Sequence, residues 1–362
     1  MFTSKSLKSL KLSFKDLSAF KLHPETMKLI ESQGKEIEYF ELRCLAINSI
    51  DMMTSLTKLK SLKLNENFWP DDVRIEVISL AKNCPKLDTI EFDDLFFNDE
   101  TSMLLALDTL FYEKRLTLKS LCFKEVKASN GFTDDFLRNL SLCQNLEEFQ
   151  CQKTDLTQSS LDIIVRLPKL KKLTFHHIRM SSDTVRKFLR KLNKTNLECL
   201  IISNCSGFDD TAFQNLSELS FPKLQRLFIY RDCPTLGPEI ENLIRQIIQN
   251  CPYLKSIQFF YNMSFIPGKE NVKSQAQMVF KIIKESNVFI CWQNELNWSF
   301  PSMNCKAMQT ATEKCLKIED LSVFEKYMKM KNDFLKWCNV NDNIDFNIAA
   351  KINFKSHYID SM

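Results

Sequence analysis

The chain has 362 residues, 44% of them hydrophobic and 26% charged, with a formal net charge of +4. This is an ordinary globular composition, long enough for two domains or one extended array, and so mild a charge does not by itself imply nucleic acid. No apolar run approaches the roughly 20 residues of a membrane helix, and the opening MFTSKSLKSLKLSF has no apolar stretch of the kind a secretory signal requires.

Taken in chain order, the predicted strands follow one apolar frame, LxxLxL. It occurs as Leu7/Leu10/Leu12, Ile37/Phe40/Leu42, Leu59/Leu62/Leu64, Leu87/Ile90/Phe92 and Leu118/Leu121/Phe123. It continues as Leu146/Phe149/Cys151, Leu170/Leu173/Phe175, Leu197/Leu200/Ile202, Leu224/Leu227/Ile229 and Leu254/Ile257/Phe259, with a degenerate copy near NVFICW. The central apolar residue returns about every 27 positions, within the roughly 20–29 of leucine-rich repeats. Helices are predicted between the frames. PDDVRIEVISLAKNC starts on Pro70 and two acids and sets Val73, Val77, Leu80 and Ala81 on one face. Asn98, Thr157, Ser181 and Asp209 stand where N-caps are needed. One strand and one helix per repeat predict an α/β fold, a right-handed leucine-rich-repeat horseshoe solenoid with its parallel sheet concave and its helices convex. The solenoid is assigned to residues 1–295, as ten to eleven repeats. An amphipathic helical cap containing Phe324, Tyr327, Phe334 and Trp337 is assigned to 296–340, and a tail to 341–362.

AKNCPKLDTIEF (81–92) and IQNCPYLKSIQF (248–259) resemble the xxCPxLxxLxL junction of the cysteine-containing leucine-rich repeat. NLECLIISNCSGFDDTAFQNL (196–216) supplies the following half, with Cys205 at the turn. That subtype is typical of F-box/leucine-rich-repeat proteins. The resemblance implies a protein-binding module that recognises substrates for an SCF-type (cullin) ubiquitin ligase, with catalysis in other subunits. It implies the cullin-adaptor machinery as a partner if an F-box is missing from this chain. No F-box is recognisable, because the first frame already begins at Leu7. Leu10, Leu12, Phe14 and Leu17 are therefore expected to lack a cap, either in a truncated product or where a partner covers that end. The alternative function is a stand-alone interaction protein, a scaffold or an inhibitor. The expected location is the cytoplasm, with the nucleus as alternative.

Candidate site residues come from strand alternation, which turns the third, fifth and seventh positions of each frame away from the core. The fifth positions begin Lys11, Glu41, Lys63, Glu91, a row of opposite charges that largely satisfies itself. Further along, Ile201, Arg226, Phe228, Tyr230, Gln258 and Phe260 are expected to form an exposed aromatic patch with an arginine, the composition of a protein-binding hot spot. Residues 166–194 hold ten bases and one acid, Asp183. Lys172, His176, Arg186 and Arg190 are the candidate dock there for an acidic or phosphorylated partner, and nucleic acid is the weaker option. No cofactor, metal or catalytic group is expected. The 13 cysteines include no CxxC pair and read as reduced core residues. The four histidines form no nucleophilic pair with them.

Overall fold

The computed structural model describes residues 7–13, 24–43, 55–65, 68–69, 80–93, 96–97, 100–124, 137–153, 156–192, 195–208, 221–231, 238–261, 282, 285–286 and 288–291. The chain divides into two compact units, Met1–Gln214 and Asn215–Met362.

In the first unit every frame folds as a five-residue strand, since alternate apolar side chains need one buried face. The strands are β1 Ser9–Ser13, β2 Tyr39–Arg43, β3 Ser61–Asn65, β4 Phe68–Trp69, β5 Thr89–Asp93, β6 Phe96–Phe97, β7 Ser120–Lys124, β8 Glu148–Gln152, β9 Lys172–His176 and β10 Cys199–Ser203, of which β4 and β6 are two-residue additions outside the frames. Within this unit β1-β2-β3-β5-β7-β8-β9-β10 pair in that order, all parallel, while β4 pairs only with β6. The register aligns the frames residue for residue. Phe40, Leu62, Ile90, Leu121, Phe149, Leu173 and Leu200 form one row and Leu42, Leu64, Phe92, Phe123, Cys151, Phe175 and Ile202 the next, each at most 2% exposed. The core is thus a stack running across the strands. Phe92 lies flat on Phe123 at 5.3 Å, and Phe149 meets Phe123 edge-on at 6.4 Å.

Helices Pro24–Gln33, Glu100–Lys114, Gln158–Ile164 and Ser182–Leu192 connect the strands. Two expected caps are present: Thr157 Oγ1 accepts from the Ser160 amide at 3.1 Å, and Ser181 Oγ from the Thr184 amide at 3.2 Å. Before each strand the chain closes a tight turn. The amides of Ile37, Leu59, Leu87, Leu146 and Leu170 donate to the carbonyls of Gly34, Leu56, Cys84, Cys143 and Leu167. That slot is buried, so it accepts glycine, leucine or cysteine, and a cysteine there can also donate. Cys143 Sγ reaches the Phe111 carbonyl of the preceding repeat at 3.8 Å. Lys114 holds the same slot and satisfies its buried ammonium on the Cys84 carbonyl at 2.5 Å. Burial pushes the Cys84 thiol up to about 11 and the Cys143 thiol up to about 12, so both stay protonated.

The second unit repeats the pattern with β11 Arg226–Arg231, β12 Ser256–Tyr261 and β13 Phe289–Cys291, parallel in that order, and the helix Pro238–Asn250. Leu224, Leu227, Ile229, Leu254 and Ile257 are buried. The turn recurs, with Leu224 and Leu254 donating to the carbonyls of Phe221 and Cys251. Each unit is an α/β leucine-rich-repeat array. The expected helix start at Pro70, the caps Asn98 and Asp209, Phe14 and Leu17, the 296–340 cap and the 341–362 tail lie outside the described residues. Among the described residues, no helix is long and apolar enough to cross a membrane.

Candidate interaction surfaces

The fifth-position row of the first unit runs Lys11, Glu41, Lys63, Glu91, Cys122, Gln150, Thr174, Ile201 in direct register. Lys11 bridges Glu41 at 2.7 Å and Lys63 bridges Glu91 at 3.0 Å. Glu91 takes a second bridge at 2.5 Å from Lys124, while the Tyr39 hydroxyl donates to Glu41 at 2.8 Å. Burial pushes the Glu41 carboxyl up, but hydrogen bonds from Lys11 and Tyr39 and the charges of Lys11 and Lys63 outweigh it, so it lies below the usual range. Glu91 behaves alike, burial being overcome by Lys124 and then Lys63. These charges are committed to one another.

A second row of charges runs beside the first. The residue after the first apolar position of each frame reads Lys8, Glu38, Lys60, Asp88, Lys119, Glu147, Lys171, Glu198, a strict alternation of sign. Glu38–Lys60 stands at 2.7 Å, Asp88–Lys119 at 3.4 Å and Glu147–Lys171 at 2.8 Å. The Lys60 hydrogen bond and charge hold the Glu38 carboxyl low, and Glu147 holds the Lys171 ammonium high. The backbone carries the same row. Each of these carbonyls from Lys8 to Lys171 accepts two amides of the next repeat: Glu38 and Tyr39 on Lys8, Lys60 and Ser61 on Glu38, and so on to Glu198 and Cys199 on Lys171. None of the sequence-based expectations includes this row. Sign alternation at one fixed frame position is the signal that marks it.

The basic repeat is less available than its composition implies. Lys172 bridges Glu148 at 3.4 Å, Lys171 bridges Glu147, Lys191 bridges Asp162 at 2.5 Å and Arg186 bridges Asp183 at 2.9 Å. Lys172 and His176 lie on β9, whereas Arg186 and the exposed Arg190 lie on the helix Ser182–Leu192. His176, expected at this dock, is a buried side chain. It is 8% exposed, flanked in register by Gln152 and Ser203, with the His177 ring 4.3 Å away. Burial pushes its pKa down to about 3, helped by the charges of His177, Lys153 and Lys124. A neutral imidazole brings no positive charge to a carboxylate or phosphate and can offer it only an N–H hydrogen bond.

The expected aromatic patch falls in both units. Ile201, half-buried, belongs to β10 of the first; Arg226, Phe228, Tyr230, Gln258 and Phe260 belong to the second. There β11 and β12 pair Arg226 with Ser256, Phe228 with Gln258 and Tyr230 with Phe260. Two aromatic positions are therefore adjacent on one strand face, in line with a half-buried arginine. Phe228 corrects its expectation: it keeps 6% exposure. A benzyl group in a row spaced about 4.8 Å from the next packs against the face instead of standing clear of it. Cys205, expected at the turn, sits after β10, its Sγ donating to the Ser203 carbonyl at 3.2 Å and accepting from the Ile178 amide at 3.5 Å. Burial pushes its thiol up to about 12.

No family model and no curated protein matches the chain. Among solved structures, the chain is similar to internalin C2 of Listeria monocytogenes str. 4b F2365, at 14% identity over 63% of this chain and 83% of that one, with a TM-score of 0.38. It is also similar to a second internalin of that organism, at 15% identity over 80% of this chain and 81% of that one, with a TM-score of 0.39.

Proposed function

We propose that the chain is a protein-binding module, and that a partner protein docks on the strand face of β11 and β12. The observation that supports this reading is the register of Arg226, Phe228 and Tyr230 beside Ser256, Gln258 and Phe260. Tyrosine, phenylalanine and arginine on one face are the residues that dominate interface energies. Phe228 is the buried member of the set, and Tyr230, Gln258 and Phe260 are assigned to it by strand register. The chain has no catalytic duty in this reading, and the thiols of buried Cys84, Cys143 and Cys251 and half-buried Cys205, raised to about 11–12, are poor nucleophiles at neutral pH. The resemblance of the Cys84 and Cys251 junctions to the cysteine-containing repeat supports a finer reading, a substrate receptor for a cullin ubiquitin ligase in the cytoplasm or nucleus. A stand-alone scaffold is the alternative.

A photo-crosslinking residue at position 230 tests the surface. It should capture a discrete protein in cells that the same residue at Tyr253, a 65% exposed position, does not. Equal capture at both positions would remove the β11–β12 face from the account. If the captured protein accumulates when cullin ligases are inhibited, the receptor reading stands; an unchanged level favours the scaffold.

A further inference from the structure

The two charge rows end together at β1, and the way they end describes what fits there. Interior members of the rows have opposite charges on both sides. Glu91 is bridged by Lys63 and Lys124, and Lys60 and Lys171 each feel an acid on either side, Glu38 with Asp88 and Glu147 with Glu198. Lys8 and Lys11 head the two rows, and among the described residues β1 has one neighbour in the sheet, β2. Among the described residues their acids all come from that side: Glu38 for Lys8 and Glu41 for Lys11. Exposure changes accordingly. The Lys11 side chain is 61% exposed, against 22% for Lys63 two strands along. Leu10 and Leu12 are half-buried, where their counterparts Phe40 and Leu42 are fully buried.

We propose that the β1 edge is a docking site for an acidic parallel strand of a partner polypeptide, carrying carboxylates three residues apart to face Lys8 and Lys11 and apolar side chains to cover Leu10 and Leu12. The occupant follows from the repeating step of the array. From Lys8 to Glu198 each repeat places a charge opposite to that of the next, and its ladder carbonyl accepts two successive amides of that next repeat. Continued one step outward, the carbonyl of the incoming acid accepts from the Lys8 and Ser9 amides. Its carboxylate meets the Lys8 ammonium, and a second acid three residues on meets Lys11. Repeat two already shows the matching sequence, Glu38-Tyr39-Phe40-Glu41-Leu42. A second copy of the chain stacked end to end is a poorer match. At β13, the last strand among the described residues, the position that corresponds to this row is Val288, and Phe289-Ile290-Cys291 carries no acid. This surface belongs to the first unit and the β11–β12 face to the second, and each has its own test, so either can fail alone.

The test uses the full chain and a blocked synthetic peptide spanning residues 36–43, together with the same peptide carrying Glu38→Lys and Glu41→Lys. The acidic peptide should bind saturably, at least about tenfold tighter than the reversed one, since two like-charge contacts replace two opposite ones. It should also slow hydrogen exchange at the Lys8 and Ser9 amides. The chain variant Lys8→Glu should narrow the preference, and its intact fold is checked by unchanged exchange in β5 and β7. Equal binding of the two peptides, or no slowing at Ser9, overturns the proposal. So does protection already present without peptide, which would mean that the chain covers its own edge.

Discussion

His176 shows how position and environment separate on this sheet. Alternation puts it on the face away from the core, yet it is 8% exposed and neutral, with its Nε2 making no hydrogen bond among the described residues. A histidine whose folded pKa lies near 3, against 6.5 in the open chain, binds its proton only on unfolding in the window between those values. The unfolded state then holds more protons, so the stability this residue allows is intact above pH 6.5 and is lost as pH falls towards 3. Between pH 7 and pH 5 the loss is about 2 kcal/mol. Urea titrations at the two pH values should show that His176→Gln removes most of this acid sensitivity. An unchanged pH dependence would mean that the imidazole is solvated or paired. The frame could not reveal this burial, because it fixes which face a side chain occupies and not what its neighbours leave open.

At the scale of the element, the unit of design is a strand with a sign. Basic strands β1, β3 and β7 alternate with acidic β2 and β5 on the ladder that Lys8 heads, while Lys11, Glu41, Lys63 and Glu91 keep the same phase on the next. Such alternation acts on register and neighbour choice, since a slip or a wrong repeat juxtaposes like charges. It also separates a ladder from a set of independent pairs. Exchanging Lys63→Glu with Glu91→Lys preserves that pair, yet it sets Glu41 against the new acid and Lys124 against the new base. The ladder reading expects the exchanged chain to be about 1–3 kcal/mol less stable than the parent by urea titration. Full recovery would reduce the rows to isolated pairs. The strand frames, the junction turns and the first charge row were legible in the sequence, because apolar spacing and fixed offsets carry them. The second row is equally written there, one residue after each first leucine. What was not legible is pairing that crosses repeats: Lys171 to Glu147, Lys172 to Glu148 and Lys191 to Asp162 turn a basic segment into a partly compensated one.

At the scale of the molecule, two leucine-rich-repeat units carry surfaces of opposite character. In the first, charges of opposite sign pair repeat to repeat along the strands, and the proposed docking edge is β1. In the second, Gln225 and Lys255 stand where the charge row would continue, while the backbone link persists, with the Lys255 and Ser256 amides on the Gln225 carbonyl. The strand face there carries aromatic positions in register with one another. In the proposed binding reading a +4 chain of this length needs no strongly charged surface, because hot spots are aromatic and central, with charge at the rim. The most direct measurement is the affinity and melting temperature of the Tyr230→Ala, Phe260→Ala double variant, using the partner captured from position 230. The binding reading expects the melting temperature to stay nearly unchanged and the affinity to fall by at least about tenfold. A large drop in melting temperature with the affinity of the folded fraction intact would make both rings part of the core, and the β11–β12 face would no longer be a binding surface.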